Sequence, residues 1–200
     1  LIENDSGSAE VLLKGSAMEN LSLILRNGDI IKELRDEVDA YEYDLTIIGG
    51  SAKRSMSHDM IQYINSSIFV VNNFNKTINY KILLAVDDSP GTKKAVKYGV
   101  RVAQAFGIKV QIITVSEDEN FKEENKKSSE NASKMMRRCG VEAETKFEIG
   151  KPVDKIIEIA GEDHIIIMGA STQSPIAKFF IGSKPLNVMQ NSNCPILIVK

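Results

Sequence analysis

Short apolar runs alternate with helical stripes along the second half of the chain. A near-continuous apolar run occurs at 81–87, further strands are predicted at 109–115, 143–149 and 162–169, and a last apolar run occupies 195–199. Such runs are typical of strands in a parallel sheet that is covered on both faces. Because helical stripes separate these runs, the pattern predicts an α/β fold with a doubly wound parallel sheet of five strands.

The helical stripe after the first run has clear start and stop signals. Asp88 and Ser89 precede Pro90, and proline suits the first turn of a helix. Gly107 is a natural C-terminal stop. Small residues on one face would let this helix approach the sheet closely. The predicted buried face consists of Ala95, Gly99, Ala103 and Phe106.

The next helix is less sharply marked. Residues 117–131 are rich in Glu, Lys, Asn and Ser and are predicted to form a solvated loop or the start of a helix. Residues 132–139 are expected to continue as a helix. Before the run at 162–169, apolar residues recur with the spacing of one helical face. That stripe consists of Val153, Ile156, Ile157 and Ala160.

The same pattern occurs earlier in the chain. Residues 43–50 and 162–169 each place an Asp six positions before a Gly, with an apolar run between them. A final apolar run follows each, at 67–71 and 195–199. The earlier helical stripe consists of Ile30, Ile31, Leu34 and Val38. The order of these matches predicts a duplicated β-α-β-turn-β unit.

The first copy is incomplete. The counterpart of its third strand is 21–26, which leaves too few residues upstream for two further strands. We therefore expect a partial first domain at 1–72, a polar linker at 73–80 and a complete second domain at 81–200. In the common strand order the missing strands lie in the middle of the sheet. We therefore expect either that upstream sequence was removed or that another segment takes the place of the two missing strands.

Composition narrows the classes of function. The chain has 200 residues and a net charge of −2, with 42% hydrophobic and 26% charged residues, as in ordinary globular proteins. No apolar run approaches the ~18–20 residues that span a bilayer. A dense basic patch with interleaved aromatics is lacking, so no nucleic-acid partner is expected. Cys139 and Cys194 lie far apart, which fits a reducing, cytoplasmic compartment.

The residues with candidate binding chemistry lie together after the fourth strand of the second copy. Gly169 ends that strand, at the edge where open α/β sheets bind ligands. Gly182 and Ser183 open the next helix, where free backbone N–H groups and the helix dipole favour a phosphate. Lys184 adds a positive charge, and 164–200 contains no Asp or Glu. The alternative is a plain strand–turn–helix connection that Ser183 caps.

These residues resemble the universal stress protein family. Its nucleotide-binding members share the pattern Gly, two residues, Gly, nine residues, Gly, Ser/Thr. Here Gly169, Gly182 and Ser183 are in register, and Thr172 replaces the middle Gly. The resemblance covers 81–200 and extends more weakly to 20–71. It implies a tandem protein, or a fragment of one, with the fold of the adenine-nucleotide alpha-hydrolases.

The resemblance also implies a ligand and the residues that would contact it. The ligand would be ATP or AMP, and Mg²⁺ could accompany it. Asp87 would meet the nucleoside, and the main chain of Val115 would meet adenine. Capping of the following helix is an equally good interpretation of Asp87. The full set of implied binding residues is Ala85, Val86, Asp87, Val115, Met168, Gly169, Thr172, Gly182, Ser183 and Lys184.

Other kinds of site find little support. The stretch from Gly50 to Ser66 is shorter than that from Gly169 to Cys194 and lacks the Gly-Ser pair, so the first copy is not expected to bind nucleotide. His164 heads an apolar run and is interpreted as structural, and no histidine stands at metal-ligand spacing. No Walker A pattern or catalytic triad is present.

The sequence thus predicts a stress-response sensor or signalling protein that binds an adenine nucleotide in its second domain. Alternatives are a nucleotide-free interaction module and a cytosolic regulatory domain of a larger protein such as a transporter. Enzymatic activity is uncertain; the family analogy allows slow ATP hydrolysis at most. The final strands at 67–71 and 195–199 are expected to pair, either in a homodimer or in an intramolecular pseudo-dimer.

Overall fold

The computed structural model describes residues 24, 26–49, 62–71, 79–118, 122–170 and 183–200. The helices in these ranges are α1 (Ile30–Tyr41), α2 (Pro90–Phe106), α3 (Lys122–Arg138), α4 (Pro152–Ala160) and α5 (Ser183–Asn191). The strands are β1 (Leu45–Gly49), β2 (Ser67–Val71), β3 (Lys81–Ala85), β4 (Val110–Ser116), β5 (Ala143–Ile149), β6 (His164–Gly169) and β7 (Ile196–Val199).

All the strands belong to one seven-stranded sheet in the order β1-β2-β7-β6-β3-β4-β5. Neighbouring strands are parallel except β2 and β7, which are antiparallel. The five strands from β3 to β7 form the doubly wound parallel arrangement that the sequence predicts. The strand order reverses at β3, so the connections from β3 and from β6 diverge and leave a crevice at their carboxyl ends.

Two apolar clusters lie on opposite faces of the sheet. Helices α1, α4 and α5 cover one cluster, and α2 and α3 cover the other. Consecutive residues of one strand alternate between them: Ile166 and Met168 face the first, whereas Ile167 faces the second. This burial on both faces explains why the central strands β3, β6 and β7 are near-continuous apolar runs.

Helix α2 begins and ends where the sequence signals predict. Ser89 is its N-cap, and Gly107 follows it with a φ of 63°. Three small residues are buried as predicted: Ala95, Gly99 and Ala103. The prediction was wrong for Phe106, whose side chain is 72% exposed. Phe106 is the last residue of the helix, and the chain turns away at Gly107 before its ring can reach the core.

Helix α3 begins at Lys122, so most of 117–131 forms the start of a helix, which is one of the two predicted alternatives. Its buried stripe has helical spacing and includes two serines: Ser129, Ala132, Ser133 and Met136. Because serine is polar, its burial here hides the first turn of the stripe from an apolar pattern.

The two final strands pair within the chain, as expected for an intramolecular arrangement. Ile68 lies opposite Ile198 and Val70 opposite Ile196 in the β2–β7 ladder. Lys200 stabilises the pairing of β2 with β7 further. Its backbone N–H donates to Ser67 Oγ at 3.3 Å, and its ammonium group donates to the Ile64 carbonyl. The sheet therefore runs without interruption from one half of the chain to the other.

The register of the repeat differs by one residue from the sequence alignment. Ile68 pairs with Thr46, and its counterpart Ile196 pairs with Ile166. Thr46 is thus the counterpart of Ile166, and Gly49 rather than Gly50 takes the position of Gly169. The alignment failed because both copies carry an Asp before the strand, and that Asp is not at the same structural position.

Several sequence predictions lie largely outside the described residues. Of 21–26, only Ile24 and Arg26 are described, and neither belongs to a strand. Of the linker at 73–80, only 79–80 are described. Thr172 and Gly182 also lie outside, whereas Ser183 is already the first residue of α5 rather than its N-cap.

The start of α2 packs directly on the end of β6. A Cβ at Gly169 would lie 2.5 Å from the Gly91 carbonyl carbon and 2.7 Å from its oxygen. A Cβ at Gly91 would lie 3.0 Å from the Ala170 oxygen. The backbone at Gly91 cannot shift without moving α2, and the backbone at Gly169 cannot shift without moving β6. The two glycines therefore set the distance between α2 and the sheet at this edge.

We predict that Gly169→Ala lowers the free energy of unfolding by about 2 kcal/mol, because the added methyl overlaps the Gly91 backbone. Gly99→Ala is the matched control. Its Cβ would lie 3.1 Å from the terminal methyl of Met136, which is the end of a flexible side chain. Urea denaturation measures both variants. Equal losses would contradict the importance of the Gly91–Gly169 contact.

A second prediction concerns pH. Burial lowers the pKa of Lys200 from 10.5 to about 8. Between these values the unfolded chain binds a proton at Lys200 that the folded chain lacks, so the free energy of unfolding rises as pH increases from about 8 towards 10.5. Denaturation at several pH values should show that Lys200→Met loses this rise, whereas Lys97→Met, on the exposed surface of α2, keeps it. Parallel pH curves for the wild type and Lys200→Met would refute the assignment.

Candidate functional site

A cleft opens at the carboxyl ends of β3, β4 and β6. It occupies about 520 Å³, including space that is open to solvent. Most of the described residues implied by the sequence lie in its lining. These are Ala85, Val86, Asp87, Val115, Met168, Gly169 and Lys184. Ser183 stands next to Lys184 but does not line the cleft, and Thr172 and Gly182 lie outside the described residues.

The sequence analysis missed the other lining residues, which are Thr92, Ile113, Pro152, Ile156 and Pro185. Ile113 and Ile156 were interpreted as ordinary core residues, and each also belongs to an apolar cluster. Two others stand at the starts of helices: Thr92 in the first turn of α2, and Pro152 as the first residue of α4. A proline after a strand marks a helix start, and this signal could have placed α4 at the cleft.

The first turns of three helices border the cleft, because Thr92, Pro152 and Lys184 belong to α2, α4 and α5 respectively. The N-terminus of a helix carries a partial positive charge and N–H groups without intrahelical partners. The Lys184 side chain is exposed and adds a full charge. This end of the sheet therefore favours an anionic group in the cleft.

Asp87 organises the start of α2. Its Oδ1 accepts hydrogen bonds from the Ser89 N–H at 3.0 Å, the Ser89 hydroxyl at 2.5 Å and the Thr92 hydroxyl at 2.6 Å. Its backbone N–H donates to Thr92 Oγ1 at 3.1 Å. Asp87 therefore anchors the turn before α2 but is not its cap: Ser89 is the N-cap, and the Asp87 carboxylate bonds to Ser89 and to the Thr92 hydroxyl rather than to a helical N–H. Asp87 also lines the cleft, so these contacts fix a carboxylate at its wall.

Two main-chain donors at the cleft edge are already engaged. The Val86 N–H donates to the Ile113 carbonyl at 2.9 Å, and the Ala170 N–H donates to the Val199 carbonyl at 2.7 Å. Neither group is available to a ligand. The requirement for glycine at position 169 is likewise explained by its close backbone contact with Gly91, which leaves no room for a side chain. Among the described residues, the helix starts that border the cleft are the best source of free N–H groups for an anion.

Other candidate chemistry is structural in the described part of the chain. His164 is buried, with Nδ1 3.0 Å from the Ala160 carbonyl oxygen and 2.8 Å from Asp163 Oδ1. Cys194 is buried beside Ser192, and burial raises the pKa of its thiol. Among the described residues no cluster of His, Cys, Asp and Glu could hold a metal ion. None of the described helices is long and apolar enough to cross a membrane.

The fold and the cleft define a class: a doubly wound α/β protein with a crevice suited to an anion. The family model of the universal stress protein family matches residues 79–200. The chain therefore belongs to the universal stress protein family. A curated relative, the universal stress protein MJ0531 of Methanocaldococcus jannaschii, is 27% identical over 138 residues, which cover 60% of this chain and 81% of that protein.

Solved structures agree on the fold. A universal stress protein from Archaeoglobus fulgidus covers 90% of this chain and 68% of its own, with a TM-score of 0.66 and 19% identity, which supports the fold alone. A universal stress protein solved in complex with cAMP is 26% identical, with a TM-score of 0.51. That match covers 62% of this chain and 98% of the other.

We predict that Asp87→Ala lowers the free energy of unfolding by about 1–2 kcal/mol, because the Ser89 N–H and the hydroxyls of Ser89 and Thr92 lose their acceptor. Asp88→Ala is the matched control, because Asp88 is exposed. The decrease in the free energy of unfolding of Asp88→Ala should stay below about 0.5 kcal/mol. Chemical denaturation of the two variants measures the difference. Equal effects would show that the Asp87 hydrogen bonds do not stabilise α2.

Proposed function

We propose that this protein binds an adenine nucleotide in the cleft and acts as a sensor or signalling protein of the stress response. The convergence of three helix starts and Lys184 on one cleft carries the proposal, because together they attract phosphate. The structural relative in complex with cAMP supports an adenine-type ligand. A nucleotide in the cleft would contact α2, α4 and α5 at once, so occupancy would couple these helices and alter the surface that they present.

The proposed contacts follow the chemistry of the lining. The half-exposed Val115 and the buried Met168 offer apolar surface to the base. Asp87 accepts hydrogen bonds, which suits ribose hydroxyls. Lys184 and the start of α5 meet the phosphates, and we assign the remaining phosphate contacts to Gly169, Thr172, Gly182 and Ser183. Ala85 and Val86 complete the floor beneath the nucleoside.

A bound Mg²⁺ is less well supported than the nucleotide. Mg²⁺ needs oxygen ligands in near-octahedral geometry. Asp87 is the only carboxylate among the described lining residues, and its Oδ1 already accepts three hydrogen bonds. We therefore assign neutralisation of the phosphate charge to Lys184 and the helix starts. We also propose that 81–200 is the complete second domain and binds the nucleotide, that 1–72 is a partial first domain and that the protein acts in the cytoplasm.

Titration calorimetry of the whole chain with ATP, AMP and adenosine tests the proposal. Binding of ATP or AMP at micromolar to millimolar concentration is expected, with weaker binding of adenosine because it lacks phosphate. No detectable heat with any of the three at millimolar concentration would overturn the proposal. Equal affinity for adenosine and AMP would show that the helix starts do not bind phosphate.

Lys184→Ala should weaken AMP binding about fivefold, as expected for one exposed charge contact. Its affinity for adenosine should stay unchanged, because adenosine has no phosphate for Lys184 to meet. Lys97→Ala removes an equally exposed lysine of α2 and is the control. Titration of AMP and adenosine against the three proteins gives the comparison. A loss of adenosine binding in Lys184→Ala would instead indicate damage to the cleft.

A second candidate is an interaction module that works without nucleotide. The contact between Gly91 and Gly169 favours it, because that contact explains Gly169 without any ligand. The engaged N–H groups of Val86 and Ala170 point the same way. The calorimetric titration separates the two candidates, since only the first predicts binding.

A further inference from the structure

The two helices on one face of the sheet form a basic surface. Helices α2 and α3 lie side by side over the second apolar cluster, and the Gln104 side chain near the end of α2 donates to the Cys139 carbonyl at 2.7 Å. Both helices lie within 81–200, where all five strands of the predicted unit are present. They are the outer layer of this unit, so the repeat predicts no further element above them.

The exposed charges of these helices are almost all positive. The described acidic side chains on α2 and α3 are Glu123 and Glu130, and α2 contains no acidic residue. The helices on the opposite face of the sheet, α1, α4 and α5, together carry more acidic than basic residues. The nine exposed basic residues, here called the basic face, are Lys93, Lys94, Lys97, Arg101, Lys126, Lys127, Lys134, Arg137 and Arg138.

The basic face has no neutralising partners of its own. Among the described residues, none of its nine side chains forms an ion pair, whereas several exposed lysines elsewhere do, such as Lys81 with Asp163 at 3.2 Å. Lys93, Lys97 and Arg101 follow one another at a spacing of four residues, where like charges destabilise a helix. An extended negative surface that neutralises these charges together is therefore favoured.

The shape of the basic face does not suit a nucleic acid. A single helix is about 10–12 Å wide and fits the major groove of about 12 Å, whereas two helices packed ~8–10 Å apart are too wide to enter together. Proteins that bind single strands stack the bases on aromatic side chains. On the described part of these helices the one large apolar side chain that is exposed is Phe106, at the end of α2. The basic face thus lacks features that read or stack bases.

The composition of the basic face also differs from that of a protein interface. The centre of such an interface is depleted in charged residues and enriched in aromatic residues and methionine. Here exposed lysines and arginines occur along both helices instead. Long basic side chains without fixed partners suit a surface whose negative charges are spread out and can move, as the headgroups of an anionic bilayer do.

We propose that the basic face docks on the surface of a bilayer that contains anionic phospholipids. The axes of α2 and α3 then lie along the membrane plane, and the basic side chains reach the headgroup phosphates. Each Lys or Arg near such a surface adds to the attraction. The cations are concentrated on one face, so this attraction outweighs the net charge of −2 of the whole chain. The more acidic helices α1 and α4 face away from the membrane.

Cosedimentation of the full chain with vesicles tests the proposal. The wild type should bind vesicles of phosphatidylcholine that contain about 30% phosphatidylglycerol, but not vesicles of phosphatidylcholine alone. Its affinity should fall at least ~10-fold between about 0.1 M and 0.5 M NaCl, because salt screens exposed charges. Failure to bind the anionic vesicles at the lower salt concentration would overturn the proposal, and so would equal binding to both kinds of vesicle.

Two variants of equal net charge locate the contact. The first removes two charges from each helix of the basic face: Lys94→Gln, Arg101→Gln, Lys127→Gln and Lys134→Gln. It should weaken binding to the anionic vesicles at least ~100-fold. The matched control removes four exposed lysines outside the basic face: Lys32→Gln, Lys81→Gln, Lys109→Gln and Lys146→Gln. Its affinity should stay within about threefold of the wild type, because these positions lie away from the membrane.

Equal losses in the two variants would show that binding depends on total charge and not on the basic face, and would refute the proposal. All eight positions are exposed, so the circular dichroism and the urea denaturation midpoint of both variants should match those of the wild type.

A labelled DNA duplex of mixed sequence tests the competing occupant. At about 0.15 M NaCl the duplex should stay unbound at a protein concentration that saturates the anionic vesicles, as measured by fluorescence anisotropy. Binding of the duplex without binding of the vesicles, lost in the first variant, would assign the basic face to a nucleic acid and overturn the membrane proposal.

Discussion

The backbone contact between Gly91 and Gly169 fixes the geometry on which the rest of the site depends. With no side chain at either position, the first turn of α2 rests against the end of β6. That placement brings Thr92 to the Asp87 carboxylate and closes one wall of the cleft. A single methyl group at Gly169 would push the helix outwards, and the hydrogen bonds between Asp87, Ser89 and Thr92 would have to stretch with it.

This contact changes how the glycine pattern is interpreted. Gly169 begins the spaced glycine motif that nucleotide-binding family members share, so the sequence connects it with phosphate. In the structure, the same glycine is required by packing, before any ligand is considered. A glycine at this position is therefore compatible with both a binding protein and a protein that binds nothing. Lys184 is a more specific indicator of an anion, because its side chain is exposed and does not contribute to the packed core.

The sequence predicted the α/β class, the helices of the repeat and the pairing of the two final strands, because apolar runs and proline or glycine signals are local. It also predicted that Asp87, Val115 and Lys184 belong to one site. The prediction from sequence failed where a polar residue is buried or an apolar residue is exposed. Ser129 and Ser133 are buried in α3, and Phe106 is exposed. Gly91 was missed because its importance comes from a contact with the distant Gly169, which no local pattern encodes.

The antiparallel joint between β2 and β7 determines which way each half of the molecule faces. Strands β1 and β2 run opposite to their neighbours from β3 to β7. The chain therefore leaves β1 at the far rim of the sheet, away from the cleft. The carboxyl ends of β1 and β2 and the cleft therefore lie at opposite rims of the sheet, so a substitution at the end of β1 does not reach the residues that line the cleft. The two rims of the sheet are therefore separate surfaces, and substitutions can change the chemistry of one rim without changing that of the other.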